Sequence, residues 1–97
     1  MLDKLTKETF MPVKGSVFHL AIENRPAVPL ELVEVAGNGL QGRARREQFS
    51  LRFRAPATPA LAQRIYRLEH ATLGALEIFL VPIQKDADGM VYEAVFT

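Results

Sequence analysis

The most regular pattern in the chain is the alternation of apolar and polar residues in EQFSLRFR, residues 47–54. Side chains of an extended strand point alternately to its two faces, so Phe49, Leu51 and Phe53 fall on one face and polar residues on the other. VFHLAIE, residues 17–23, repeats the pattern with an apolar face formed by Phe18, Leu20 and Ile22. Both segments are predicted to be strands that bury one face.

Four further segments carry strand patterns, and they are LELVEV at 30–35, IYRLEH at 65–70, ALEIFLVPI at 75–83 and MVYEAVF at 90–96. In the first of them the apolar positions change parity between Leu32 and Val33, which indicates a β-bulge or burial on both faces. The third segment is apolar at both parities. This predicts the most central strand of the sheet, with its pairing ended by Pro82.

Local signals predict the turns and the few helical residues. KDADG, residues 85–89, ends in glycine and predicts a hairpin turn between the last two strands. Residues 3–10 have a helical pattern, with Asp3 or Thr6 as the N-cap. The proline-rich segment 55–60 predicts a turn that leads into one helical turn over residues 61–64.

The strands and their short connections predict an all-β, antiparallel fold. Parallel strands need crossover connections of a dozen or more residues, which this chain does not contain. We therefore expect about six strands in a small barrel or sandwich, preceded by a short N-terminal helical turn. The two architectures are not distinguished by the pattern. The length of 97 residues predicts one domain over residues 1–97.

Composition excludes several classes of site. The chain has no cysteine, so disulfides and thiolate metal sites are excluded. The N-terminus lacks the apolar region of a secretory signal. The longest apolar stretch is about half a membrane span and contains Glu77 and Pro82. We expect a soluble, cytoplasmic protein with no metal and no cofactor.

The net charge of +1 conceals an uneven distribution of charge along the chain. Residues 43–67 contain seven arginines and one acidic residue, Glu47, whereas the remaining residues have an excess of acids. Such a division predicts a basic face for an acidic partner, or two faces that pair with each other within one molecule or between copies.

A glycine motif precedes the arginines. Gly37, Gly39 and Gly42 fit the spacing G-x-G-x-x-G of dinucleotide-binding proteins. That motif requires a helix immediately afterwards, because the helix N-terminus binds the pyrophosphate, but here a strand follows. A hairpin loop in which Asn38 and Gly39 supply positive φ angles is the favoured interpretation.

The arginines themselves admit three interpretations. They can be a solvated face paired with Glu31, Glu77 and Glu93 on neighbouring strands. They can bind a protein partner, or they can bind the phosphates of a nucleic acid. Against the last, Phe49 and Phe53 share a face with Leu51, so they belong to the core and leave no platform for base stacking. The candidate partner-binding residues are Arg43, Arg45, Arg46, Arg52 and Arg54.

Catalytic constellations are weakly represented. The candidate nucleophiles include Ser16 and Ser50, and neither lies in G-x-S-x-G. His19 and His70 are fifty-one positions apart, without the close spacing of a metal site. His70 precedes a turn and is expected to hydrogen-bond the turn backbone. A ligand pocket in a barrel mouth near Tyr66 and His70 is a further hypothesis.

Four segments together resemble a family of small bacterial proteins described only as a domain of unknown function. They are LTKETFMPVKGSVFHL, REQFSLRFRAP, LAQRIYRLEHATLGALEIFLVPI and YEAVF. The resemblance covers most of the chain and places these residues in motif positions: Gln48, Phe49, Tyr66, His70, Gly74 and Pro82. It carries no active site, and it implies an association with phage-tail-like collar proteins, near which members tend to be encoded.

These observations favour a non-enzymatic accessory or interaction domain. It would bind a protein partner or a second copy of itself through the arginine-rich face and a strand edge. The alternative is a small nucleic-acid-binding barrel that uses the same arginines.

Overall fold

The computed structural model describes residues 5–37 and 48–96. Within them, six strands form a closed antiparallel barrel in the order β1-β2-β3-β6-β5-β4. The strands are β1 Val17–Ile22, β2 Arg25–Gly37, β3 Phe49–Ala55, β4 Arg64–His70, β5 Gly74–Asp86 and β6 Gly89–Phe96. A short helix, α1 Lys7–Phe10, and a 3₁₀ turn, Met11–Val13, precede them. The all-β antiparallel prediction is confirmed, and the architecture is the barrel.

The core consists of the apolar faces that the alternation predicts. Phe49, Leu51 and Phe53 on β3 are fully buried, as are Phe18 and Leu20 on β1. The rings of Phe18 and Phe53 meet edge to face, with their centroids 5.4 Å apart. The polar residues between these positions point outward, so the period-two pattern fixes which face of each strand forms the core.

Two long strands bend to take part in both halves of the barrel. The first residues of β2 pair with β1, and its last residues pair with β3. The register between β2 and β3 shifts between Leu32 and Glu34, so the predicted bulge lies where the apolar parity changes. A bulge increases local twist and bends the strand, which allows the sheet to close.

The prediction for β5 was wrong in two respects. The strand continues beyond Pro82 to Asp86, and Pro82 lies opposite Tyr92 in the ladder with β6. The proline is accommodated because the register shifts immediately after it, between Pro82 and Gln84. In a closed barrel no strand is central, and the second apolar parity of β5 is an exposed outer face that includes Phe79 and Ile83.

The two ends of the barrel are closed differently. The lower end, where β1 begins, is covered by α1, whose Phe10 packs against Phe49 and Phe96. Thr6 is the N-cap of α1, and the alternative N-cap, Asp3, lies outside the described residues. No helix in the described part of the chain is long and apolar enough to cross a membrane.

The upper end, where β1 turns into β2, is crossed by residues 56–63. The helical turn predicted for residues 61–64 is wrong, because residues 61–63 are not helical and Arg64 begins β4. Instead, Leu61 is buried and its backbone N–H donates to the hydroxyl of Tyr92 at 2.9 Å. This tertiary hydrogen bond satisfies a buried backbone N–H group.

The turn between β5 and β6 yields a stability prediction. Gly89 is buried with φ of 122°, and a Cβ added there would overlap the backbone carbonyl oxygen of Ala55. Gly74 also has positive φ, 80°, but nothing lies near its Cβ position. We expect Gly74→Ala to reduce the free energy of unfolding by about 1 kcal/mol, and Gly89→Ala by about 3 kcal/mol. Urea unfolding measures both values, and equal losses would contradict the described packing of Gly89 on β3.

Candidate functional site

The barrel closes through its shortest ladder, between β1 and β4. Two Cα pairs, His19 with Glu69 and Leu20 with Leu68, make up the register of these strands. By comparison, β4 forms seven such pairs with β5. Residues 64–67 of β4 therefore have β5 on one side and no strand paired to them on the other within the described chain.

The separation coincides with a register shift between β1 and β2. The register of β1 with β2 shifts between Leu20 and Ile22, and Leu20 is also the last residue of β1 that pairs with β4. The extra residue at this shift is on β2, where Pro26 and Ala27 lie opposite Ala21. Beyond Leu20, β1 has no further pair with β4 and enters the turn in which Asn24 has positive φ. The open edge of β4 thus begins beside the irregular pairing of β1 with β2.

The space between the diverging strands is a cleft of about 370 Å³. We call it the seam cleft, and its lining residues are Ala21, Ile22, Glu23, Arg64, Ile65, Tyr66 and Arg67. Alternate residues of an antiparallel strand direct their N–H and C=O groups to opposite neighbours. Two of the four residues 64–67 therefore present backbone donors and acceptors to the cleft. Such an edge can accept an additional strand.

Next to the seam cleft is a second cleft of about 270 Å³, which shares Ile22 with it. Its walls come from the start of β2 and from the segment that crosses the upper end, and four of its lining residues are Pro26, Pro29, Pro56 and Pro59. Arg25 also lines this cleft. Both clefts lie at the upper end of the barrel.

The arginines at the upper end differ from those on the barrel wall. Among the described residues, Arg25 and Arg64 form no ion pair. The guanidinium carbon of Arg64 lies 5.5 Å from the centre of the Tyr66 ring, within the range of a cation–π contact. The Tyr66 hydroxyl donates to the carbonyl of Ala62 at 2.7 Å, and burial raises the pKa of this tyrosine.

An apolar pair lies on the outer face beside the seam cleft. Ile65 on β4 and Phe79 on β5 are directly opposite in the ladder, and their exposed fractions are 61% and 46%. They are two of the exposed large apolar residues of the described chain. Single exposed apolar residues are ordinary. A cross-strand pair of them beside an open strand edge marks a surface that another polypeptide can cover.

Two of the predicted partner-binding residues are engaged within the barrel. Arg52 on β3 forms ion pairs with Glu93 at 3.4 Å and with Glu34 at 3.8 Å. Arg54 binds Asp86 at 3.0 Å, and this hydrogen bond is the main reason that the pKa of Asp86 is lowered. Of the acids expected as their partners, Glu93 is observed.

The remaining expected partners and residues lie elsewhere. Glu31 is opposite Arg54 in the ladder, and Glu77 is opposite Arg67, but neither glutamate is in an ion pair in the described chain.

The other predicted residues lie outside the described residues, and they are Arg43, Arg45 and Arg46 of the arginine-rich segment and Asn38, Gly39 and Gly42 of the glycine motif. Gly37 is the last residue of β2. The binding role of the five arginines stays a prediction.

The structure does not bring Tyr66 and His70 into one pocket. They point to the same face of β4 but are four residues apart, which is about 13 Å along a strand. Tyr66 lines the seam cleft at the upper end, whereas His70 lies at the lower end with its ring 4.4 Å from that of Phe18, centroid to centroid.

His70 holds the turn that follows it, as the sequence predicts. Its Nδ1 accepts the backbone N–H groups of Thr72 at 3.0 Å and Leu73 at 3.2 Å. A neutral imidazole whose Nδ1 accepts carries its proton on Nε2, which lies 2.8 Å from the hydroxyl of Ser16. The Ser16 hydroxyl in turn donates to the carbonyl of Val13.

This chain of hydrogen bonds decides the role of the Ser16–His70 pair. A histidine that activates a serine nucleophile must accept the hydroxyl proton, so the facing nitrogen must be unprotonated. Here the facing nitrogen donates, and the serine proton is directed to a backbone carbonyl. The pair therefore connects the lower turn to the segment before β1. In residues 5–37 and 48–96, no three His, Asp or Glu side chains come together as a metal site would need.

Sequence reasoning missed the seam cleft with its residues Arg64 and Ile65, and it missed Arg25 in the adjacent cleft. One signal was present, because Ile65 shares its parity with Arg67 and Glu69 and is thus an apolar residue on an otherwise charged outer face. The register between β1 and β4 depends on strands far apart in the chain, and no local pattern predicts where it ends.

The hydrogen-bond chain through His70 yields a second prediction. The amide oxygen of asparagine can replace Nδ1 as the acceptor for the turn, but asparagine is too short to reach Ser16. We expect Ser16→Ala to lower the free energy of unfolding by about 1 kcal/mol in the wild type. In a His70→Asn background the loss caused by Ser16→Ala should be smaller by about 0.5 kcal/mol. Ser50→Ala is the control and should change stability by less than about 0.5 kcal/mol. Strictly additive effects in urea unfolding would argue against the Ser16–His70 hydrogen bond.

Comparison with known proteins places the chain in a family without giving it an activity. No curated protein matches the chain, and no solved structure matches it. The family model described as "Domain of unknown function (DUF6916)" matches residues 5–96, which include every strand of the barrel and both clefts. The chain therefore belongs to the DUF6916 family of domains of unknown function.

Proposed function

We propose that this chain is a non-enzymatic interaction domain that binds an extended segment of a protein partner along the open edge of β4. The observation that carries the proposal is the early end of the β1–β4 ladder, which leaves residues 64–67 unpaired on one side. A polypeptide strand added there would complete hydrogen bonds that the barrel itself does not make.

The exposed apolar pair supports the same surface. Main-chain hydrogen bonds supply affinity in strand addition, and side-chain contacts on alternate positions supply specificity. Ile65 is next to the position that an added strand would take, and Phe79 lies one strand further on the same outer face. An apolar side chain of the partner would cover part of both.

A separate protein is favoured over a second copy of the chain. A two-fold interface brings the same patch of both copies together. Two β4 edges would therefore bring Arg64 and Arg67 of one copy close to the same arginines of the other, and like charges across a strand pair are destabilising.

The arginines of residues 43–54 support binding of a protein partner less directly than the sequence suggests. Arg52 and Arg54 have carboxylate partners on the barrel wall, so binding an acidic partner there would compete with those ion pairs. A double charge reversal of the two would place like charges beside Glu93 and Asp86 and disturb the barrel. Nucleic-acid binding through these residues, the cytoplasmic setting and the association with phage-tail-like collar proteins remain predictions.

Selection from a displayed library of random nine-residue linear peptides, with the full chain immobilised, tests the proposal. We expect selected peptides to bind Ile65→Asn at least about tenfold more weakly than the wild type. Val95→Asn is the matched control, because Val95 is 56% exposed on β6 and lies far from the seam cleft in the strand order. It should bind within about twofold of the wild type.

Two results would contradict the proposal. One is a selection that yields no peptide with measurable affinity for the folded wild type. The other is a set of peptides whose binding is unaffected at Ile65 and lost at Val95, which would place the surface on the opposite wall. Circular dichroism and thermal unfolding of both variants establish that each retains the barrel.

A further inference from the structure

The charges around the seam cleft indicate what kind of strand it would accept. On the barrel wall the outward arginines are matched by acids on neighbouring strands, as Arg52 is by Glu93 and Glu34. At the upper end Arg64 and Arg25 have no such match in the described chain. A carboxylate supplied by another molecule would pair with them without breaking an existing ion pair.

The order of side chains along β4 makes the expectation more specific. Ile65 and Arg67 are two residues apart and share the outer face, on which an added strand would present its own alternate residues. Residues directly opposite in neighbouring strands interact most strongly, and apolar pairs and opposite charges are the favourable combinations. The matching strand therefore has an apolar residue and, two positions away, an acidic residue.

The acids nearest to the cleft do not cancel this preference. Arg67 has an intramolecular partner, Glu69, at 3.3 Å, but both side chains are more than half exposed, so the pair is weak. Glu23 lines the cleft from the turn after β1 and forms no ion pair with Arg64. Arg64 is held over the Tyr66 ring instead and can turn its guanidinium to a ligand.

Resting on the proposed function, we infer that the seam cleft selects an acidic extended peptide segment in which an apolar residue and a carboxylate alternate on one face, opposite Ile65 and Arg67, with Arg64 pairing a further carboxylate. A nucleic acid is also anionic, but it lacks the backbone N–H and C=O groups that the open edge of β4 would pair. The occupant is therefore a polypeptide strand.

Two synthetic fluorescein-labelled peptides test the inference on the full chain. Both are nine residues long and alternate Thr and Val, with Glu at the fourth and seventh positions in one and Lys at the same positions in its twin. Paired antiparallel to β4, the Glu peptide places its two carboxylates opposite Arg67 and Arg64 and a Val opposite Ile65. We expect fluorescence anisotropy at low salt to show the Glu peptide binding the wild type at least about tenfold more tightly than the Lys twin. The preference should shrink at about 0.5 M salt, because exposed charge pairs are screened.

Charge-reversal variants locate the preference. Arg64→Glu should remove most of the advantage of the Glu peptide, and Arg64→Glu combined with Arg67→Glu should reverse it. Lys14→Glu is the control, since it changes the net charge equally at the lower end of the barrel and should leave the preference unchanged.

The outcomes separate this inference from the proposed function. Equal binding of the two peptides, with both weakened by Ile65→Asn, overturns the acidic preference and leaves strand binding in place. Failure of both peptides to bind overturns the inference as well, and strand binding then depends on the library selection alone. Displacement of the Glu peptide by a single-stranded oligonucleotide, with the oligonucleotide sensitive to Arg64→Glu, would assign the surface to nucleic acid and overturn the inference.

Discussion

The constraint on which this structure depends most is the closure of a six-stranded sheet through the short ladder between β1 and β4. A sheet of this size closes only if its strands tilt and coil, and here the long strands β2 and β5 provide the curvature through their bulges. β1 stops pairing with β4 after Leu20, at the point where its register with β2 shifts. The sheet therefore closes through two residue pairs and leaves part of the β4 edge without a partner.

Around that opening, the two ends of the barrel have contrasting chemistry. At the lower end, side chains of the chain itself supply the contacts. The Phe10 ring packs on Phe49 and Phe96, and His70 forms hydrogen bonds with Ser16 and with the turn after β4. The upper end combines the two clefts, an exposed apolar pair and arginines that form no ion pair in the described chain. Arginines without ion pairs and backbone N–H and C=O groups without a paired strand lie close together there. This arrangement favours binding of another polypeptide at the upper end.

Local patterns in the sequence predict most of the fold and little of the site. The alternation around Phe49, Leu51 and Phe53 gives the buried face of β3, and the parity change after Leu32 gives the bulge in β2, because both are properties of one strand. The apolar run in β5 leads to a wrong prediction. A strand that is buried on both faces and a strand with an exposed apolar outer face both have apolar residues at both parities. The seam cleft could not be predicted, since it depends on where two strands separated by more than forty residues cease to pair.

Amide hydrogen exchange of the free chain, resolved by residue, tests the open edge most directly. Because one side of β4 is open, we expect two alternate amides among residues 64–67 to exchange rapidly, while the other two, bonded to β5, exchange slowly. The amides of the paired β1–β4 residues, such as Leu20 and Leu68, are the reference for a closed ladder. Slow exchange at all four positions, comparable with that reference, would mean that the ladder extends to the upper end, and it would remove the basis of the proposed binding surface.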